Sequence, residues 1–255
     1  MGGKDSSPSV IIVGNSPSIL SKEYGSVIDS YDIVIRVNKC VTRGYEKFIG
    51  KKTDIWATTK TNSYGSKDFV PDNYQKLRGL WLRSTRLAKG KKPNHRMIHL
   101  PEDFPDISHH IMYKTKESKK AFTPILKIYG LGNPHEPCTG LLTILTSLLF
   151  YEDITVHGFT FYTEQQDKRA TAYYRHHELG DSEKHPEDEL WHDNRESGFA
   201  AEEEGRKKLK LLIGLINHGD LLDEISERKN KTHDRKPIKI LNPDELKTDE
   251  YSYVW

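Results

Sequence analysis

The stretch Trp191-His192-Asp193-Asn194-Arg195-Glu196 carries the side chains best suited to moving a proton. An imidazole with an ordinary pKa near ~6.5 can take a proton from a hydroxyl close to neutral pH. Glu196, four residues on, can orient or polarise His192. On spacing alone, a capping or surface histidine in a polar loop accounts for His192 better than a general base. A second group, Tyr173-Tyr174-Arg175-His176-His177-Glu178, gathers two phenols, a guanidinium and two imidazoles. Such donors can hold a departing phosphate through charge-assisted hydrogen bonds, while the plainer alternative is a solvated polar loop. H-E-x-x-H and the other zinc-hydrolase and facial-triad spacings are absent, so no metal is expected.

Two further segments point to an anion held by backbone groups. Residues 137–162, PCTGLLTILTSLLFYEDITVHGFTFY, read as a small-residue turn opening an apolar helix and then a buried strand ending on Gly158-Phe159. Helix starts of this kind present free N–H groups to an anionic ligand, and Thr139 and Gly140 add a hydroxyl and an unhindered N–H. Cys138 stands just before them. Near the N-terminus, a strand leads into Gly14-Asn15-Ser16-Pro17-Ser18, and the next strand ends on Asn38. A loop outside the carboxyl end of a strand is where open α/β sheets bind ligands, although this one can equally serve only as a helix cap. Asn38 can read a base or ribose edge with one acceptor and two donors, or simply cap the following turn. G-x-G-x-x-G and the P-loop are both missing, which argues against dinucleotide and ATP cradles.

Those side chains need a framework, and the pattern of apolar runs supplies one. Strands are expected over 10–13, 33–37, 53–58, 77–82, 96–100, 154–159 and 238–241, with helices over 19–24, 104–126, 139–150 and 199–217. In the last helix Leu209, Leu212, Ile213 and Ile216 share one face. The long polar run over 165–189 is of the kind that is either functional or disordered. The fold class is therefore α/β, a single Rossmann-like, mostly parallel sheet flanked by helices. Residues 1–7 read as a flexible tail, 8–241 as one domain and 242–255 as a C-terminal tail.

Composition narrows the partners. Among 255 residues, 39 Lys and Arg face 37 Asp and Glu for a net charge of +2, too balanced for nucleic acid. Two cysteines, Cys40 and Cys138, exclude a disulfide framework or a four-cysteine zinc site. No run approaches the ~20 apolar residues of a membrane span. The start MGGKDS fits the myristoylation pattern M-G-x-x-x-S, a short and weak signal.

Together the segments resemble a known family. VIIVGNSPSI followed by DIVIRVNKCVTRGYEKFIGKKTD resembles the long sialylmotif of the eukaryotic-type sialyltransferases. PCTGLLTILTSLLFYEDITVHGF resembles their short motif, AYYRHHE their third, and HDNRE their very short motif, all four in the family's order. The resemblance covers about residues 10–59 and 135–218. It implies a Rossmann-like variant of the GT-A fold that transfers sialic acid from CMP-sialic acid to a glycan hydroxyl, with inversion and without a metal or other cofactor. By matching positions, it implies that Asn15, Ser16, Ser18, Asn38, Cys138, Thr139, Gly140, Gly158, Tyr173 and Tyr174 serve the donor. It makes His192 the base, with Glu196 beside it, and His176 or His177 the group that steadies the leaving phosphate.

The sequence also departs from that family. The positions matching the family disulfide are Val10 and Tyr151, and Cys138 replaces the serine of P-S-T-G. Cys40 and Cys138 could pair instead, with two thiols the simpler expectation. The missing family disulfide and anchor favour a soluble, cytoplasmic or membrane-peripheral enzyme over a Golgi-lumen catalytic domain. Three alternatives stay open: a CMP-Kdo-type transferase of the same fold, a non-catalytic nucleotide- or glycan-binding relative, and, last, a metal-dependent hydrolase on the histidine-rich loop.

Overall fold

The structure, a computed structural model, describes residues 7–38, 40–58, 76–82, 107–112, 116–131, 138–159, 198–217 and 237–243. Seven strands, β1 (Ser9–Val13), β2 (Ile33–Val37), β3 (Ile55–Thr58), β4 (Gly79–Leu82), β5 (Ser108–Ile111), β6 (Asp153–His157) and β7 (Lys239–Ile240), form one sheet. Their order is β5-β4-β3-β2-β1-β6-β7, and every pairing is parallel. Among the described residues the α-helices are α1 (Gly25–Asp29), α2 (Glu46–Ile49), α3 (Lys116–Ile128), α4 (Thr139–Ser147) and α5 (Gly198–Asn217). A parallel sheet with helices along the chain is the α/β architecture that the sequence predicts.

Side-chain alternation sorts the strands onto two cores. Val10 and Ile12 of β1, Ile35 and Val37 of β2, Ile55 and Ala57 of β3, and Ile154 and Val156 of β6 pack with α4 and the apolar stripe of α5. The intervening Ile11, Val13 and Val34 pack on the opposite face with Ile19, Ile28, Tyr45 and Ile49. On that second face, further along the sheet, Trp56, Leu80 and Leu82 enclose Cys40. All nine residues of α4 are buried. That matches a helix apolar all round and fixes it as an internal element whose start cannot drift.

Two expectations need correction. The helix expected over 19–24 is instead a single 3-10 turn, Pro17–Leu20, followed by α1. α1 starts on Gly25, where a Cβ would lie 1.9 Å from the Glu46 carbonyl oxygen. Only glycine lets α1 approach α2 so closely, and its low helix propensity hid the helix from a propensity reading. The helix expected over 104–126 begins only at Lys116, because Ser108–Ile111 forms β5. Ser-His-His-Ile has no apolar alternation, and pairing with β4 decides its state. The strand expected over 96–100 lies outside the described residues. α2, a single turn, was not foreseen. Among the described residues no helix is long and apolar enough to cross a membrane.

Buried polar groups tie the strand connections to the sheet. Arg36, 1% exposed on β2, donates from Nη2 to the Ile49 carbonyl at 2.7 Å and from Nε to the Lys52 carbonyl and Thr53 Oγ1. It thus anchors the end of α2 and the turn into β3. Asp54 accepts from the Val34 N–H at 2.8 Å and lies 3.3 Å from the Arg78 Nε. Removing a buried charge partner strands its acceptors. Arg36→Met should therefore lower the unfolding free energy by about 2–4 kcal/mol, measured by urea unfolding.

At the base of the sheet Asp32 accepts from both the N–H and the hydroxyl of Ser9, each at 2.8 Å. The Ser9 N–H and hydroxyl, with smaller attraction from Lys52 and Arg78, hold its carboxyl below the ordinary value. A depressed folded pKa means stability that is complete above the unfolded value of ~3.9 and lost as pH falls through the folded one. The stability gap between wild type and Asp32→Asn, followed by urea unfolding from pH 6 to pH 2, should narrow below about pH 4.

Candidate functional site

β1 is the strand from which the sheet grows in both directions, with β2 on one side and β6 on the other. The crevice at the carboxyl ends of such a pair is the ligand position of open α/β sheets. Here the two strand exits are pressed together. The Gly14 N–H donates to the His157 carbonyl at 2.8 Å and the Ser16 N–H to the Gly158 carbonyl at 3.2 Å. A Cβ on Gly14 would sit 2.2 Å from the Gly158 oxygen, and Gly158 itself has φ 77. A side chain at Gly14 would have to move backbone, and one at Gly158 would be strained by the left-handed φ and crowded by Ile19. Beyond them Ser16 caps the 3-10 turn, accepting weakly from the Ser18 N–H at 3.4 Å, with the two hydroxyls 3.0 Å apart.

The β2 exit joins the same crevice. Asn15 Nδ2 donates to the Val37 carbonyl at 2.8 Å, tying the β1 loop to the end of β2. The next residue, Asn38, is the one described non-glycine residue with a left-handed backbone, φ 56. That conformation costs an ordinary L-residue about 1–2 kcal/mol, and asparagine tolerates it best. It is held by an N–H bond to the Ala57 carbonyl at 2.8 Å and by the Trp56 indole Nε1, which donates to the Asn38 carbonyl at 2.6 Å.

The third wall is the start of α4. Cys138 takes the N-cap position in extended conformation with no side-chain cap, and the first turn has no acidic residue. Among the described residues, Cys138 accepts from Leu142, and the N–H groups of 139–141 have no acceptor. These groups carry the positive end of the helix dipole. Phe159 fits this wall to the others: its Cε1 lies 3.2 Å from where a Cβ on Gly14 would be and 2.9 Å from one on Gly140. The structure thus brings Gly14, Asn15, Gly140, Gly158 and Phe159 together, with Asn38 linked through Val37. The sequence reading missed Phe159 and Trp56. Phe159 was signalled by the Gly-Phe that follows β6, whereas Trp56 looked like any apolar strand residue.

The cysteines do not pair. Cys40 is buried with Trp56 and Leu80 on one face of the sheet, and Cys138 packs against the core on the other. Val10 and Tyr151 belong to one apolar core. There Tyr151 stacks on Trp81 at 6.4 Å, and burial, with the nearby Asp54 charge, raises its phenol pKa.

Residues 3–196 match the sequence profile of Glycosyltransferase family 29 (sialyltransferase). The chain belongs to glycosyltransferase family 29. Among its relatives, alpha-N-acetylgalactosaminide alpha-2,6-sialyltransferase 1 of Gallus gallus is 27% identical over 202 residues, covering 65% of this chain but 34% of that protein. Beta-1,6-galactosyltransferase GALT29A of Arabidopsis thaliana is 47% identical over 47 residues, 18% of this chain and 12% of the relative. The family 29 chain therefore spans only part of the length of the curated relatives it matches. A crystal structure of a mammalian sialyltransferase aligns with 92% of this chain and 69% of its own, at 16% identity and a TM-score of 0.47.

In this family 29 chain the residues expected to do the chemistry, Tyr173, Tyr174, His176, His177, His192 and Glu196, lie outside the described residues. Another histidine, His157, is buried at the end of β6 with its ring edge-on to Tyr24 at 5.5 Å. Among the described residues no group of three His, Cys, Asp or Glu side chains could hold a metal. The two tight glycines of the family 29 crevice should respond differently to a methyl group. Gly140→Ala meets only the Phe159 ring, so its loss of about 1–3 kcal/mol should be largely restored by Phe159→Leu. Gly14→Ala meets backbone, and Phe159→Leu should not restore it. Guanidinium unfolding of the four variants checks both.

Proposed function

We propose that the chain is the catalytic unit of an inverting, metal-independent glycosyltransferase that moves sialic acid from CMP-sialic acid to a glycan hydroxyl. The observation that carries this reading is the convergence of three strand exits and an uncapped helix start on one crevice, in a chain of family 29. The donor phosphate faces the first N–H groups of α4, over Cys138, Thr139 and Gly140, where a helix N-terminus favours negative charge. The nucleoside lies along Asn15, Ser16, Ser18 and Asn38, with the Gly158 backbone as floor, and Tyr173 and Tyr174 are further donor-binding residues. Residues 8–241 act as the unit that folds and binds.

The chemistry follows from charge movement. His192, oriented by Glu196, takes the proton of the acceptor hydroxyl as its oxygen attacks the anomeric carbon from the face opposite the nucleotide. The bond from that carbon to the phosphate oxygen breaks, and its electron pair leaves with CMP. His176 or His177 and the α4 dipole receive the charge that develops there, so the step needs no metal.

A different donor is the second reading, favoured by the 47-residue match to a galactosyltransferase. Thermal unfolding with CMP, UDP, GDP or S-adenosylmethionine separates them, because a ligand that binds only the folded chain raises its apparent stability. Stabilisation by CMP alone is expected. Stabilisation by UDP and not CMP would overturn the donor assignment, and CMP binding without transfer to any acceptor would make the chain a binding relative. His192→Ala should lower transfer by about 100-fold or more while the CMP-induced shift in melting temperature persists.

A further inference from the structure

Asn38 presents a problem of aim. Its side chain is half-buried and, among the described residues, makes no hydrogen bond of its own. Its backbone, in contrast, is tied on every side. The N–H donates to Ala57 at 2.8 Å, the preceding carbonyl receives Asn15 Nδ2 at 2.8 Å, and its own carbonyl receives the Trp56 indole at 2.6 Å. A left-handed residue turns its Cα–Cβ bond away from the direction it would take in a continuing strand. Whatever holds φ at 56 therefore sets where the amide points.

Of the three ties, the indole is the one by which a core side chain holds residue 38 itself. Trp56 is fully buried in the middle of β3, among Leu77, Leu80, Leu82 and Cys40, so its N–H has one direction to donate. A buried indole N–H must find an acceptor, but a core tryptophan has no need for that acceptor to be the carbonyl of the left-handed residue at a ligand-facing strand exit. We propose that Trp56 is a positioning residue for donor binding, its indole N–H locking Asn38 in the conformation that turns the asparagine amide toward the nucleotide. The inference rests on the donor-site reading above. Without the indole, Asn38 relaxes toward the extended backbone, and its amide leaves the crevice for most of the time.

The test is a double-mutant cycle on CMP affinity, by calorimetry, with wild type, Trp56→Phe, Asn38→Ala and the double variant. Phenylalanine keeps an aromatic ring and loses only the donor and one ring's volume. Trp56→Phe should weaken CMP about fivefold to tenfold, a lost hydrogen bond's worth of affinity, and should have no further effect once Asn38 is alanine. Leu80→Ala, in the same cluster, controls for lost packing: it should lower the melting temperature and leave CMP affinity unchanged. An unchanged affinity in Trp56→Phe, or an equal loss with and without Asn38, overturns the proposal. If wild type binds UDP and not CMP, the donor reading falls and the same cycle is read with UDP. If no nucleotide binds, the proposal falls with the donor reading; should Trp56→Phe fail to fold, hydrogen exchange of the Trp56 indole in wild type decides. Protection like that of core amides supports the lock, and rapid exchange overturns it.

Discussion

The contact on which everything near the crevice depends is backbone against backbone: Gly14 leaving β1 lies against Gly158 leaving β6, with no room between them for a single methyl group. Parallel strands of a sheet normally diverge at their ends as side chains and twist separate the loops. Here two residues without side chains let the loops close, and the loops are joined by the Gly14 N–H donating to the His157 carbonyl and the Ser16 N–H donating to the Gly158 carbonyl. The floor of the crevice is therefore made of peptide groups at fixed positions. That suits recognition of a polar, charged ligand, because donors already in place lose little freedom when the ligand arrives.

The walls inherit their positions from that floor. Phe159, next to Gly158, wedges toward the start of α4, which is itself enclosed by the core on every side. Asn15, next to Gly14, reaches to the end of β2. Arg36, one residue before Val37, grips the end of α2 and the turn into β3 from beneath. The crevice is thus the common end of several separately anchored elements, and a change at one strand exit reaches the others through one or two hydrogen bonds.

Much of this was legible in the sequence because the residues that build it have few other uses. Gly14-Asn15-Ser16-Pro17-Ser18 after an apolar run, Asn38 closing a strand and Cys138-Thr139-Gly140 opening an apolar helix each mark an element end, and element ends in a parallel sheet lie on one edge. The strands β1, β2, β3, β4 and β6 were legible for the same reason: they are short apolar runs bounded by polar residues or glycine. β5 was not, because Ser-His-His-Ile takes its conformation from β4 and not from its own pattern. α1 was hidden by the glycine that its packing demands. Trp56 was hidden by chemistry: an indole in an apolar strand reads as volume, and only the folded chain decides which carbonyl its N–H finds.

The β1–β6 pairing also sets an order of events. Ser9 registers with Asp153, and Ser7 hydrogen-bonds Glu152, 145 positions along the chain. Contacts that close so long a loop form late and slowly in folding. During synthesis five of the seven strands emerge with one flank of β1 unsatisfied, an open template for mispairing until β6 arrives. The crevice is consequently among the last parts of the molecule to form, and a chain interrupted between α4 and β6 has its other walls without Gly158 and Phe159.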